Sequence, residues 1–172
     1  GGIIGLSTAW FLAEKNWEVT ILEKTDGADG CSMGNAGMIV PSHFVPLAQP
    51  GMVSQGFRWM FDAKSPFFVR PRWSLELADW GFKFLRSATE NHVDRSAAPL
   101  VELSLLSKDL FKKWMKTGLF DCHFAENGIV MYFKKEKTAD EETHLAARAR
   151  SFGLDAVELS RAECQALEPE LR

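Results

Sequence analysis

Apolar side chains recur every three or four positions over much of the chain. In residues 94–116, Leu103, Leu106, Leu110 and Trp114 follow this spacing, which predicts a long amphipathic helix that ends at Gly118. Local periodicity, glycines and helix-start signals predict further helices at 6–15, 51–61, 74–88, 138–152 and 160–168. Ser74 is the expected cap of the third of these, and the last two begin with the spacing of a capping box, Thr138 with Glu141 and Ser160 with Glu163.

Three short runs predict strands instead. The first, 19–22, follows the first helix and is rich in β-branched residues. The other two, 123–126 and 128–133, flank Asn127-Gly128, a dipeptide that favours a tight hairpin turn. Helices and strands together predict an α/β fold.

A glycine-rich turn precedes the first helix. Gly2 and Gly5 stand three residues apart, as the second and third glycines of the dinucleotide-binding pattern G-x-G-x-x-G do, and Gly1 takes the variable position before them. Glycine suits this turn because a pyrophosphate must approach the backbone N–H groups at the positive end of a helix. The turn, helix and strand therefore predict an incomplete Rossmann-like domain whose first strand and first glycine are missing. A purely structural turn is the alternative.

Glu23 ends the first predicted strand and follows Gly2 by 21 residues. This is close to the separation expected for the acid that accepts hydrogen bonds from a ribose hydroxyl. A carboxylate there disfavours a 2′-phosphate, so the sequence favours FAD or NAD over NADP. If the turn is only structural, Glu23 is an unrelated surface residue.

A second stretch of small residues, 31–40, ends in apolar residues that are unusual for a plain loop. Ser32 can cap a short helix, and Ala36-Gly37 allows the backbone to approach a flat ring. The stretch predicts a second region that contacts the cofactor. A glycine-rich connector without a ligand is the alternative.

The run GGIIGLSTAWFLA, the acid and lysine at 23–24 and the pattern SxxNAGMI at 32–39 resemble the FAD-dependent amine and amino-acid oxidoreductases. This superfamily includes D-amino-acid oxidases, glycine oxidases and sarcosine oxidases. Within it, Pro41 and the tryptophan-rich region 57–84 make the layout most similar to that of bacterial D-amino-acid dehydrogenases. The resemblance covers essentially the whole chain, and its specific motifs lie in the first forty residues.

The resemblance implies that FAD is the cofactor. It implies that the glycine turn binds the pyrophosphate, that Glu23 binds the adenosine ribose near Lys24, and that 32–38 lies along the pyrophosphate and flavin. The cofactor-binding residues so implied are Gly1, Gly2, Ile4, Gly5, Glu23, Lys24, Ser32, Asn35, Ala36, Gly37 and Met38. No catalytic residue and no metal ligand is assigned to this chain.

The resemblance also implies a reaction. A D-amino acid would lose hydride from its α-carbon to the flavin, and water would hydrolyse the imine to a 2-oxo acid and ammonia. A quinone or similar acceptor would then take the electrons. The alternatives are a glycine or sarcosine oxidase-like enzyme that uses oxygen, an NAD-dependent dehydrogenase, and a non-catalytic dinucleotide-binding fold or interaction module.

Aromatic and basic residues mix in region 57–84. A core helix at 74–88 explains many of the aromatics, because exposing them all would be costly. Contact with an anionic membrane surface is the alternative, and it suits an enzyme that reduces a quinone. The aromatic and basic residues on which it depends are Phe57, Arg58, Trp59, Phe61, Lys64, Phe67, Phe68, Arg70, Arg72 and Trp73.

Composition adds few constraints. The net charge of −3 gives no general reason to expect nucleic acid, and the scattered Cys31, Cys122 and Cys164 suggest reduced thiols. We expect a cytoplasmic protein, with possible attachment to the inner face of the membrane.

The expected organisation is a partial FAD-binding domain at 1–52, a helical region packing on it at 53–118 and the start of an α+β substrate-binding domain at 119–172. The chain reads as an internal piece of a longer protein, and by itself we expect it to be inactive and to bind FAD weakly.

Overall fold

The computed structural model describes residues 1–27, 30–60, 65, 72–119, 122–133 and 135–170, apart from the side chain of residue 57. The chain divides into two compact units, Gly1–Ile39 and Val40–Arg172. The first contains helix α1 (Ile3–Ala13). The second contains α2 (Met52–Met60), α3 (Leu75–Ser87), α4 (Glu90–Lys116), α5 (Glu136–Ser151) and α6 (Arg161–Leu167).

Helix α1 begins directly after Gly2, three residues earlier than predicted. Its end is a Schellman motif, in which the N–H of Trp17 donates to Leu12 O at 3.1 Å and the N–H of Asn16 donates to Ala13 O at 2.9 Å. Asn16 takes the left-handed conformation, with φ at 61°. The helix therefore ends within two residues of the predicted position.

Side-chain caps set the start of three helices in the second unit. Ser74 Oγ accepts from the Leu77 N–H at 3.2 Å and starts α3 as predicted. Thr89 Oγ1 accepts from the His92 N–H at 3.3 Å, which starts α4 four residues earlier than predicted. At α6, Ser160 and Glu163 form the predicted capping box.

The capping box predicted at Thr138 and Glu141 is wrong. Helix α5 begins at Glu136, after Lys135, and no side chain caps it. Its C-terminal end lies close to the predicted position because Gly153 adopts a left-handed φ of 76°. The N–H of Leu154 then donates to Ala149 O at 3.1 Å, which closes the last turn.

The buried core of the second unit lies where α4 and α5 meet the segment at Phe44. Phe44, Ala97, Val101 and Ala149 form one buried cluster. Phe44 is fully buried and its ring meets Phe152 edge to face, with centroids 5.4 Å apart. At the surface, Arg148 Nη2 donates to Asp94 Oδ1 at 2.8 Å and adds a polar link between α5 and α4.

The predicted α/β fold is wrong for the described part of the chain, because none of its residues lies in a β-strand. Residues 19–22 are not helical, but they pair with no other segment that the structure describes, and a strand requires a ladder partner. The incomplete Rossmann-like domain and the α+β substrate-binding sheet are therefore absent from these residues. Helices, turns and irregular segments replace them.

The predicted hairpin is also wrong. Gly128 has the positive φ of 76° that suits a tight turn, but the flanking segments 123–126 and 128–133 do not pair. This region is exposed. Lys112 Nζ of α4 forms an ion pair with Glu126 Oε2 of this region, at 2.8 Å.

Helix α3 divides its apolar residues between two faces. Leu77, Gly81, Phe84 and Ala88 are half-buried, whereas four large residues are exposed: Leu75, Trp80, Phe82 and Leu85. Trp73, just before the helix, is fully exposed. Among the described helices, none combines the length and apolar character that a membrane span requires.

Candidate functional site

The start of α1 and two distant residues, Glu23 and Ser32, come together within the first unit. Glu23 Oε2 lies 2.6 Å from the backbone nitrogen of Gly1. Ser32 Oγ lies 2.9 Å from the backbone nitrogen of Ile3. Three separate parts of the predicted cofactor site therefore meet at the glycine turn.

The neighbours of Gly1 and Gly2 leave little room for a side chain at either position. A Cβ atom added to Gly1 would overlap the Glu23 carboxylate, and one added to Gly2 would lie 2.9 Å from Ser32 Oγ. Gly5 differs, because a Cβ there would meet no described atom within 4 Å. The space beside Gly5 is open, and it faces no other part of the described chain.

The two oxygens of Glu23 have different partners. Oε1 accepts hydrogen bonds from the backbone N–H groups of Lys24, at 2.6 Å, and Thr25, at 3.3 Å. Hydrogen bonds from the Gly1 nitrogen on Oε2 and from these two N–H groups lower the pKa of the Glu23 carboxyl below its ordinary value. The carboxylate is therefore held ionised, with its Oε1 side fixed by the backbone.

Ser32 stands at the first turn of α1. The first N–H groups of a helix have no partner within the helix, and Ser32 Oγ satisfies that of Ile3. The N–H groups of Ile4 and Gly5 have no hydrogen-bond acceptor among the described residues. No acidic side chain lies in this first turn either.

Asn35 fixes the loop that carries Ser32. Its Nδ2 donates to Ser32 O at 2.6 Å, and its Oδ1 accepts from the Gly37 N–H, also at 2.6 Å. Gly37 has a φ of 65°, a left-handed conformation that glycine adopts without strain. Both polar groups of the Asn35 side chain are thus bonded to the backbone of its own loop.

The remaining predicted residues take part in this convergence through their backbone or not at all. The side chains of Ile4, Lys24, Ala36 and Met38 are exposed, and none forms a hydrogen bond or ion pair with another described part of the site. The backbone N–H of Thr25 was not predicted, although it holds Glu23 Oε1. Its position two residues after the acid is the signal that could have identified it, because a carboxylate often accepts from backbone N–H groups nearby.

This arrangement fits the diphosphate and ribose of a dinucleotide. Unpaired N–H groups at the positive end of α1 suit a phosphate oxygen, and the closely approached glycines leave no side chain to block it. Glu23 Oε2 can accept from a ribose hydroxyl as well as from the Gly1 nitrogen, because a carboxylate oxygen has two lone pairs. The described residues include no cluster of His, Cys, Asp and Glu that could hold a metal ion.

A separate apolar cavity lies in the second unit, and the sequence did not indicate it. Its volume is about 170 Å³, and it lies between α2 and α3. Trp80 and Phe84 stack on one side of it, with ring centroids 5.3 Å apart. Its other described lining residues are Leu47, Met52, Val53, Gly56, Met60, Gly81 and Leu85.

The sequence is similar to those of known proteins over most or all of its length. A D-amino acid dehydrogenase of Neisseria meningitidis serogroup C (strain 053442) is 28% identical over 171 residues, which cover 99% of this chain and 41% of that protein. Proteins with the same name from Granulibacter bethesdensis and Helicobacter pylori are 32% and 34% identical, over 99% and 82% of this chain and 41% and 36% of their own lengths. The chain thus spans about two-fifths of the length of these relatives. No solved structure matches the chain significantly.

The family model described as FAD dependent oxidoreductase matches residues 1–172. This match confirms both the family resemblance that the motifs indicated and FAD as the cofactor. The chain belongs to the family of FAD-dependent oxidoreductases.

Proposed function

We propose that the protein oxidises a D-amino acid to a 2-oxo acid and ammonia, with FAD as the cofactor. The observation that carries the cofactor site is the convergence of Glu23 and Ser32 on the glycine turn at α1. The substrate class is supported by the relatives, which are named D-amino acid dehydrogenases.

The residues of this chain bind and orient the cofactor. The N–H groups of Ile4 and Gly5 would hold the pyrophosphate at the positive end of α1, and the ionised Glu23 would accept from the adenosine ribose. The Ser32 hydroxyl accepts from Ile3 and retains a proton that it can donate to a phosphate oxygen. FAD, when bound, would supply the two-electron acceptor for the hydride of the substrate α-carbon, and hydrolysis of the resulting imine would give the 2-oxo acid and ammonia.

We also propose that a quinone or similar molecule accepts the electrons and that the protein lies against the inner face of the cytoplasmic membrane. Support comes from exposed apolar side chains beside exposed basic residues in 72–86. Trp73, Leu75 and Phe82 are exposed, and Arg72 and Arg86 lie on the same segment. Such a mixture suits an anionic interface. Phe61, Lys64, Phe67, Phe68 and Arg70 lie outside the described residues, and so does the side chain of Phe57.

The full-length protein tests the reaction. After reconstitution with FAD, we expect flavin absorption bands, and we expect D-alanine but not L-alanine to bleach them without oxygen. A quinone-like dye should restore the bands, and one 2-oxo acid should form for every two electrons that the dye accepts. Colourless protein would contradict the cofactor site, whereas turnover with oxygen alone would favour a glycine or sarcosine oxidase-like enzyme.

Co-sedimentation with vesicles tests the membrane contact. Wild-type protein should sediment with vesicles that contain anionic lipid, and less so as salt rises. The variant Trp73→Ala/Phe82→Ala should bind several-fold less, because it loses exposed apolar surface. Trp17→Ala, which removes an exposed tryptophan of the first unit, is the matched control and should bind as the wild type does. Equal binding by both variants would contradict the proposed surface.

A further inference from the structure

We propose that Asn35 is a positioning residue that promotes FAD binding through Ser32 and without contacting the cofactor. This inference rests on the proposed function, because it assumes that FAD binds at the glycine turn. It assigns Asn35 a different role from that of a direct ligand.

The first step of the argument is that the polar atoms of Asn35 are already engaged. Nδ2 donates to Ser32 O and Oδ1 accepts from the Gly37 N–H, each at 2.6 Å. A direct contact with the cofactor would have to compete with these two short bonds. Asn35 is exposed, so its bonds are not forced by burial and reflect the local loop geometry.

The second step is that these bonds control where Ser32 lies. The peptide carbonyl of Ser32 is fixed from one side by Asn35, and its hydroxyl is fixed from the other by the Ile3 N–H at 2.9 Å. The Ser32 side chain is in turn close enough to Gly2 that a Cβ there would lie 2.9 Å from Oγ. Asn35 therefore connects the 30–37 loop to the first turn of α1 through one intervening residue.

The third step concerns the hydroxyl proton. Ser32 Oγ uses one lone pair to accept from Ile3, so its O–H remains available to donate to a phosphate oxygen beside the unpaired N–H groups of Ile4 and Gly5. The direction of that O–H depends on the backbone position of Ser32. Releasing the carbonyl of Ser32 and the N–H of Gly37 would let the loop leave this position, because Gly37 adopts its left-handed φ with little strain and equally populates others.

A double-mutant cycle on the full-length protein tests this role. The measured quantity is the FAD dissociation constant, from quenching of flavin fluorescence, for wild type, Asn35→Ala, Ser32→Ala and the double variant. Each single variant should weaken binding by about 3- to 10-fold, the range expected for one or two hydrogen bonds. The double variant should bind within about twofold of Ser32→Ala, because Asn35 has no effect once the Ser32 hydroxyl is absent.

Asn35→Ser provides the conservative comparison. Its hydroxyl can still accept from the Gly37 N–H, as in an ST-turn, but cannot reach the Ser32 carbonyl as the amide does. We expect it to recover part of the affinity that Asn35→Ala loses, and only when Ser32 is present. If Asn35→Ala does not fold, the cycle is run with Asn35→Ser, and circular dichroism of the apo forms verifies folding.

The outcomes separate this inference from the proposed function. Additive losses, in which the double variant is weaker by about the product of the single effects, would show that Asn35 contacts FAD directly and overturn the inference. Unchanged affinity in Asn35→Ala would also overturn it. Wild-type protein that fails to bind FAD would overturn the proposed function itself, and this result is read before any variant is compared.

Discussion

Glu23 illustrates what the structure adds to a residue that sequence spacing singled out. Its Oε1 is held by two backbone N–H groups, and its Oε2 lies at the Gly1 nitrogen. The sequence spacing identified Glu23 as the ribose acid, and the assignment of the ribose to it stays a prediction. The spacing does not predict which group binds each carboxylate oxygen, because those partners depend on the turn that returns the chain to α1.

The first prediction concerns the pH dependence of stability. Hydrogen bonds from the Gly1 nitrogen and from the N–H groups of Lys24 and Thr25 lower the pKa of Glu23 on folding. A depressed pKa stabilises the folded state above the unfolded pKa of 4.5, and this contribution is lost as the pH falls below that value. The free energy of unfolding of wild type and of Glu23→Gln should therefore converge over this range. A difference that is independent of pH would contradict it.

The second prediction separates helix stability from cofactor binding at Gly5. A Cβ there meets open space, so Gly5→Ala should raise the free energy of unfolding by up to about 1 kcal/mol through helix propensity. FAD affinity should nevertheless fall, because the added methyl group occupies space at the proposed pyrophosphate. Thermal unfolding and flavin fluorescence measure the two effects. Gly81→Ala in α3, which also meets open space, is the control and should leave FAD affinity unchanged.

At the scale of elements, the helices follow local sequence signals closely. Ser74, Asn16, Gly153 and the Ser160–Glu163 pair end or start helices at or within a residue or two of the expected places. These signals act within a few residues, so the sequence contains all that they require. The start of α4 was misplaced because Thr89, a good cap, lies before a stretch without marked apolar periodicity.

The third prediction tests the end of α1. Asn16 has a φ of 61°, which costs a β-branched residue about 1–2 kcal/mol. Asn16→Val should therefore speed amide hydrogen exchange in the last turn of α1, whereas Asn16→Gly should leave it unchanged or slower. Equal exchange in the two variants would show that the Schellman motif does not stabilise this end.

At the scale of the whole molecule, the buried apolar residues all belong to the second unit. Among the described residues they are Phe44, Val93, Ala97, Val101 and Ala149, and none lies in Gly1–Ile39. The first unit instead exposes Ile4 and Leu22, at 82% and 89%. Its order is maintained by short turns, caps and hydrogen bonds, which contribute less stability than a buried core does.

The fourth prediction follows from this distribution. Phe44→Ala removes the largest fully buried side chain and its contact with Phe152, so the free energy of unfolding of the second unit should fall by about 3–5 kcal/mol. Phe82→Ala, at an exposed position of α3, is the matched control and should change it by less than about 0.5 kcal/mol. Denaturant unfolding followed by tryptophan fluorescence measures both. Similar losses in the two variants would contradict the assignment of the core.

The sequence by itself determined the family, the cofactor and most helix boundaries. These depend on residue types at short spacings, such as the glycines before α1 and the caps of α3 and α6, and such signals act locally. The tertiary structure decided the features that depend on hydrogen bonds between distant segments of the chain. Residues 19–22 and 123–133 have strand-like composition, yet a strand exists only where a second segment pairs with it, and no described segment does so. The structure also decided that Glu23 and Ser32 meet at the glycine turn, because residues 22 and 29 positions apart come together only when the chain folds back.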